Sequence, residues 1–165
     1  MASFLPRLVR TAHAEDGTSI FASDTRVAPF TPFGPQNSAF TVFDIRQSLP
    51  VNNTDSIPSF SNTLPRCPPK GAIFCITQIQ PGGSSPMHRT QSIDYIVVLT
   101  GEIVLVLDGG DEKTVGAGEC IVQQGVNHLW ANRSEAPCQI LCVMLGADQV
   151  ALKDGTELEE TVFKK

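Results

Sequence analysis

The chain has 165 residues, 41% of them hydrophobic, and a formal net charge of -5 at pH 7, which suits a single domain with its own core. It contains no cluster of basic residues, which argues against nucleic acid and anionic membranes as partners, because both require a concentrated positive surface. No stretch is apolar and long enough for a secretion signal or a membrane span, so the sequence predicts a cytoplasmic protein.

The cysteine, glycine and proline content limits the fold further. The five cysteines are odd in number and include no Cys-x-x-Cys pair, which argues against a disulfide framework or a zinc knuckle. The 13 glycines and 12 prolines favour many short elements joined by turns over a few long helices.

The N-terminal part of the chain contains a hairpin signal. The runs 5–13 and 18–22 are apolar or β-branched and flank Glu15-Asp16-Gly17, and an Asp-Gly pair between two such runs is typical of a β-hairpin. A short strand is predicted at 40–45. Residues 49–70 are rich in Pro, Asn, Ser and Thr and show no periodicity, which indicates a long loop or arm packed on the core.

From Gly71 onward the sequence predicts closely spaced β-strands separated by Gly, Asp and Asn. The predicted strands are 72–79, 94–99, 102–107, 113–115, 120–123, 129–131 and 139–145. Such a pattern is typical of an antiparallel sandwich or barrel. We therefore divide the chain into an N-terminal arm with strands packed on the barrel (1–70), a barrel core (71–147) and a tail (148–165) that forms a short helix or remains loose.

Two motifs in this region resemble those of the cupin superfamily, in particular its small single-domain members of the cupin-2 type. The first runs from Pro81-Gly82-Gly83 through His88 to Gly101-Glu102, and the second from Gly118-Glu119 through Gly125 and His128 to Asn132. The resemblance implies an all-β fold, a single cupin barrel (a double-stranded β-helix or jelly roll), here with an N-terminal β-hairpin arm.

The family pattern places a His-x-His pair and a Glu in the first motif and one His in the second. By resemblance His88 and His128 take the first and last histidine positions, and Asp94, seven residues before Gly101, takes the place of the glutamate. Thr90 stands where the second histidine is expected. The resemblance thus implies His88, Asp94 and His128 as catalytic residues and as the ligands of any metal. The expected cofactor is none or one divalent metal ion (Fe, Mn or Zn).

The strand periodicity agrees with this assignment. Because alternate residues of a strand share a face, His88 lies with Thr90, and His128 with Trp130. Two histidines and one carboxylate also form the facial triad that holds non-haem Fe(II) with open positions. We expect Thr90, Gln123 and Trp130 to contact the substrate, with Gln123 near the barrel rim and Trp130 in the wall.

The sequence leaves three classes of function open. The first is a lyase (dehydratase or decarboxylase) or isomerase of a biosynthetic pathway, which acts on a small oxygenated organic molecule by His/Asp acid-base chemistry. The second is a metal-dependent (Fe) dioxygenase, and the third a non-catalytic small-molecule binder, since one barrel hosts all three. The expected partners are a small-molecule substrate and a second copy of the chain in a homodimer.

Overall fold

The computed structural model describes residues 5–56, 58, 60 and 62–162, and within these ranges every regular element is a β-strand. The strands are Arg7–His13 (β1), Ser19–Arg26 (β2), Ala39–Arg46 (β3), Ala72–Ile79 (β4), Ser92–Thr100 (β5), Glu102–Leu107 (β6), Glu112–Gly116 (β7), Cys120–Gln124 (β8), His128–Ala131 (β9), Cys138–Gly146 (β10), Val150–Ala151 (β11) and Glu157–Leu158 (β12). The described residues include no helix long and apolar enough to cross a membrane.

Two antiparallel sheets face each other across the core. One has five strands in the order β3-β4-β10-β5-β8, and the other has three in the order β7-β6-β9. Their inner side chains form one apolar cluster, to which the first sheet contributes Ile73 and Val98 and the second Ile103 and Trp130. This arrangement confirms the predicted all-β fold of the cupin type.

The alternation of side chains along β4 shows why these residues form a sheet with one buried face. Ile73, Cys75 and Ile79 point into the core and are almost fully buried, whereas Phe74 points outward and is 37% exposed. Full burial of one such isoleucine contributes about 1.5–3 kcal/mol to the free energy of unfolding. A register shift by one residue would reverse the faces, so the burial pattern fixes the register.

The register of the five-stranded sheet places the polar residues that matter for the site. Met144 of β10 is paired with Asp94 of β5, and Asp94 in turn with Gln123 of β8. In the neighbouring row on the same face, Cys142 lies between Cys75 and Ile96. The aspartate and the glutamine therefore enter an otherwise apolar interior side by side.

The predicted N-terminal hairpin is present as β1 and β2, with Gly17 at a φ of 84° in its turn. Arg10 joins the hairpin to the barrel, because its guanidinium donates to the Phe43 carbonyl and forms an ion pair with Asp44. A groove of about 290 Å³ lies beneath the hairpin and is lined mainly by apolar side chains, among them those of Leu8, Phe43, Phe74, Ile76 and Leu141.

The C-terminal tail differs from the helix or loose segment that we expected. Strands β11 and β12 form a small hairpin whose turn contains Asp154 and Gly155, the latter at a φ of 83°. The Asp154 carboxylate accepts a hydrogen bond from the Thr156 amide at 2.9 Å, which is the local geometry that an Asp-Gly pair favours. Further on, the Thr161 amide donates to the Arg89 carbonyl, so the tail returns to the segment that contains His88.

Candidate active site

His88 and His128 lie directly opposite each other in an antiparallel bridge between the 81–91 segment and β9. Each backbone amide donates to the other residue's carbonyl at 2.8 Å. Directly paired residues of antiparallel strands place their side chains on the same face, and here the imidazole centroids are 4.2 Å apart, with the ring planes at 49°. The structure therefore brings together the two histidines that the sequence predicts.

Backbone carbonyls fix the tautomer of both rings. The Nδ1 atom of His88 is 2.9 Å from the Pro86 carbonyl oxygen, and that of His128 is 3.0 Å from the Val126 carbonyl oxygen. A carbonyl oxygen can only accept, so each Nδ1 carries a hydrogen, and in the neutral ring the lone pair is on Nε2.

His128 is the more deeply buried of the two, with 1% of its surface exposed, whereas His88 is partly exposed. Burial lowers the pKa of His128 from 6.5 to about 4; the hydrogen bond to Val126 opposes this, and the nearby His88 and Arg89 add to it. His128 is therefore neutral at pH 7, with an edge-on contact to Trp130 at 5.7 Å between ring centroids.

Asp94 is held from both sides in the barrel interior. The Ser92 hydroxyl donates to its Oδ1 at 2.6 Å, and the Gln123 side-chain amide donates to its Oδ2 at 2.8 Å. Burial raises the pKa of Asp94, and this outweighs the lowering by hydrogen bonds from Ser92, Gln123 and Thr90 and by the charge of His88. The carboxyl group thus holds a proton more readily than a solvent-exposed aspartate does.

The three residues expected to contact the substrate, Thr90, Gln123 and Trp130, differ in their burial and their polar contacts. Thr90 is partly buried, and its hydroxyl lowers the pKa of Asp94, so the residue in the second histidine position acts on the carboxyl group. Gln123 and Trp130 are both buried. The Oε1 atom of Gln123 is a buried oxygen with no hydrogen-bond partner within the described residues.

Two residues that position the site were missed by the sequence interpretation. Ser92 precedes Asp94 by two positions on β5, and this same-face spacing of a hydroxyl and a carboxylate is a signal that could have identified it. Asn132, which the motif includes, is fully buried and donates to the carbonyls of Ile79 and Ala136. It fixes the end of β9 and thereby the strand that begins at His128.

The described residues contain no group of three or more His, Cys, Asp or Glu side chains arranged to hold a metal ion. Both Asp94 oxygens accept hydrogen bonds from protein donors, and its carboxyl group is directed to Ser92 and Gln123. The carboxylate is thus bonded to these two donors rather than grouped with His88 and His128, and we derive no step through a metal ion. Their assignment as metal ligands stays a prediction.

Comparison with known proteins identifies a family and several relatives. The family model for the cupin domain matches residues 75–144. Phomopsin biosynthesis cluster protein C' of Diaporthe leptostromiformis is 38% identical over 78% of this chain and 71% of its own length. The cupin-domain-containing oxidoreductase fogC of Aspergillus ruber is 31% identical over 94% of this chain and 80% of its own length.

A solved structure supports the fold assignment. The polyketide cyclase RemF of Streptomyces resistomycificus superimposes with a TM-score of 0.51, covers 84% of this chain and 82% of its own, and shares 21% sequence identity. At that identity the similarity concerns the fold alone.

Proposed function

This chain belongs to the cupin family, and we propose that it is an enzyme of small-molecule biosynthesis that moves protons on a small oxygenated substrate. The reaction we favour is that of a lyase (dehydratase or decarboxylase) or an isomerase. The names of two relatives support a biosynthetic enzyme in general terms: one is a protein of the phomopsin biosynthesis cluster, and another is a cupin-domain-containing oxidoreductase.

The observation that carries the proposal is the pair of contacting imidazoles with fixed tautomers, with a buried carboxyl group on which the charge of His88 acts. Each ring donates its Nδ1 hydrogen to a backbone carbonyl, which makes Nε2 the basic atom. Asp94 is buried in the barrel interior, where the charge of His88 acts on it, and burial raises its pKa. Groups with separated proton affinities in one apolar site are the components of general acid-base catalysis.

The lowered pKa of His128 and the raised pKa of Asp94 divide the roles of these two residues, and exposure assigns that of His88. A general base works best when its pKa is near the operating pH, and the pKa of about 4 makes His128 a weak base at pH 7. We therefore assign proton abstraction to His88, which is partly exposed and contacts His128. His128 binds the substrate through Nε2. Asp94 donates a proton to the substrate oxygen that leaves or that gains negative charge in the reaction.

A deuterium-exchange assay tests proton transfer even before the natural substrate is identified. We would incubate the protein with a panel of small β-hydroxyketones in D₂O, without oxygen and with a chelator, and follow deuterium uptake and loss of water by mass spectrometry. His88→Ala should lower the exchange rate at least about 100-fold, the lower end of general-base contributions.

The control is His13→Ala, which removes an exposed histidine at the end of β1. It should exchange at the wild-type rate. Full exchange in the His88→Ala protein would contradict the assignment of the base, and no exchange in the wild type with any member of the panel would contradict the proton-transfer proposal.

A metal-dependent dioxygenase is the second candidate, since the relative from Aspergillus ruber is named an oxidoreductase. It predicts substrate conversion that requires both O₂ and added Fe(II) and that stops with a chelator. Conversion of the same panel only in a parallel assay, with O₂ and Fe(II) present and the chelator left out, would favour the dioxygenase over the lyase or isomerase.

A further inference from the structure

The Oε1 atom of Gln123 is an unsatisfied acceptor inside the barrel. Gln123 is 4% exposed, and its Nε2 donates to Asp94 Oδ2 at 2.8 Å. This bond turns the amide nitrogen toward Asp94 and leaves the amide oxygen facing away from it. Among the buried side-chain nitrogens and oxygens of the described residues, this oxygen alone lacks a partner.

Buried polar atoms without a partner are rare in native proteins, because the group has given up its hydrogen bonds to water. The interior pairing of Asp94 with Gln123 places this oxygen in the row that also contains Met144. The unpaired oxygen therefore indicates that a bound ligand supplies the missing hydrogen-bond donor.

His128 supplies a second acceptor in the same site. Its Nδ1 hydrogen is used by the Val126 carbonyl at 3.0 Å, and its Nε2 carries the lone pair. Its ring contacts that of His88, and Asp94 is bonded to Gln123. The charge of His88 acts on Asp94. The two acceptors thus belong to two contacting pairs that are coupled electrostatically inside one barrel.

We propose that Gln123 determines specificity by accepting a hydrogen bond from a substrate hydroxyl, and that the site selects neutral, hydroxyl-bearing molecules with an apolar body. The inference rests on the proposed function and narrows its substrate class. A ketone or carboxylate oxygen placed at Gln123 would bring two acceptors together, because the amide oxygen also carries only lone pairs. A hydroxyl group instead donates the hydrogen bond that the amide oxygen lacks. The buried Trp130 and Met144 provide apolar contacts for the rest of the molecule.

The test compares the binding of phenol, anisole and benzoate by ligand-observed NMR titration. Anisole replaces the hydroxyl hydrogen of phenol by a methyl group, and benzoate supplies only acceptor oxygens. The wild-type protein should bind phenol about tenfold or more tightly than either of the others, the factor expected for one buried hydrogen bond.

Two neighbouring glutamines make a matched pair of variants. Gln123→Met keeps the length of the side chain but removes the acceptor, and it should abolish the preference for phenol over anisole. Gln124→Met changes the adjacent, exposed residue of β8 and should leave that preference intact. If Gln123→Met does not fold, Gln123→Asn, which withdraws the amide by one methylene, should lose the preference instead.

The inference is overturned if phenol does not bind the wild type better than anisole, whether both bind equally or neither binds. It is also overturned if Gln123→Met folds and keeps the preference. These outcomes are distinct from failure of the proposed function, because a protein without hydroxyl preference could still show deuterium exchange that depends on His88.

Discussion

At the scale of single residues, the sequence identifies the polar centre but not its hydrogen bonds. His88 and His128 follow from motif spacing, and the structure places their rings in contact. The bond between Asp94 and Gln123 joins residues 29 positions apart and depends on how β5 pairs with β8. Local patterns predict that both are strand residues, but the pairing register is set by packing of the whole sheet.

The low pKa of His128 predicts a specific pH dependence of stability. Its pKa is about 4 in the folded protein, against the ordinary value of 6.5 that applies to the unfolded chain. Between these values the unfolded chain binds more protons, so the free energy of unfolding falls as the pH falls from 6.5 towards 4. The contribution of neutral His128 to the free energy of unfolding is fully present above pH 6.5. Between the two pKa values this free energy changes by up to about 1.4 kcal/mol per pH unit.

Urea unfolding of the wild type and of His128→Asn, each with a chelator, measures this contribution. The wild type should lose stability more steeply than the variant between pH 6.5 and 4. Asp94, whose raised pKa acts in the opposite direction, is present in both proteins, so the difference between the two curves isolates His128. Parallel curves over this range would contradict the assignment of a neutral, buried imidazole.

At the scale of elements, the sequence predicts the bounds of the barrel strands to within a few residues. It does not predict the order in which these strands pair. The strand predicted at 113–115 is Glu112–Gly116, and the strand predicted at 40–45 is Ala39–Arg46. The Asp16-Gly17 signal identifies the N-terminal hairpin, whereas the same signal at Asp154-Gly155 is weak because the strands on either side of it have only two residues each. Pairing orders such as β4-β10-β5 result from tertiary contacts.

The turn between β5 and β6 provides a test at this scale. Gly101 has a φ of 73°, and a Cβ added there would lie 2.9 Å from the Pro137 carbonyl oxygen and 3.1 Å from the Cys138 Cα. Because both neighbours are backbone atoms, Gly101→Ala should lower the free energy of unfolding by about 1–3 kcal/mol. Gly109→Ala, at a position with no neighbouring atom within 4 Å, is the control. Equal thermal unfolding midpoints for the two variants would contradict the prediction.

At the scale of the whole molecule, a single chain leaves apolar surface uncovered. The outer face of the five-stranded sheet carries a cross-strand row formed by Phe74, Val143, Tyr95 and Val122, of which Val122 is 63% exposed. The N-terminal hairpin adds Phe21, which is 78% exposed. Extended apolar surface of this kind is typical of association sites, and two-fold dimers are the commonest closed assembly. We propose a homodimer to which the hairpin contributes, as the sequence predicts.

Light scattering at micromolar concentration tests the assembly and the role of the hairpin. The wild type should have about twice the chain mass of 17.8 kDa. Phe21→Ser should shift the equilibrium toward the monomer, because it removes a large apolar side chain from the proposed contact. Val162→Ser removes an apolar side chain of similar exposure from the tail and should leave the mass unchanged. A monomeric wild type would contradict the proposed dimer, whereas a dimer that persists in the Phe21→Ser protein at all concentrations would place the contact elsewhere on the surface.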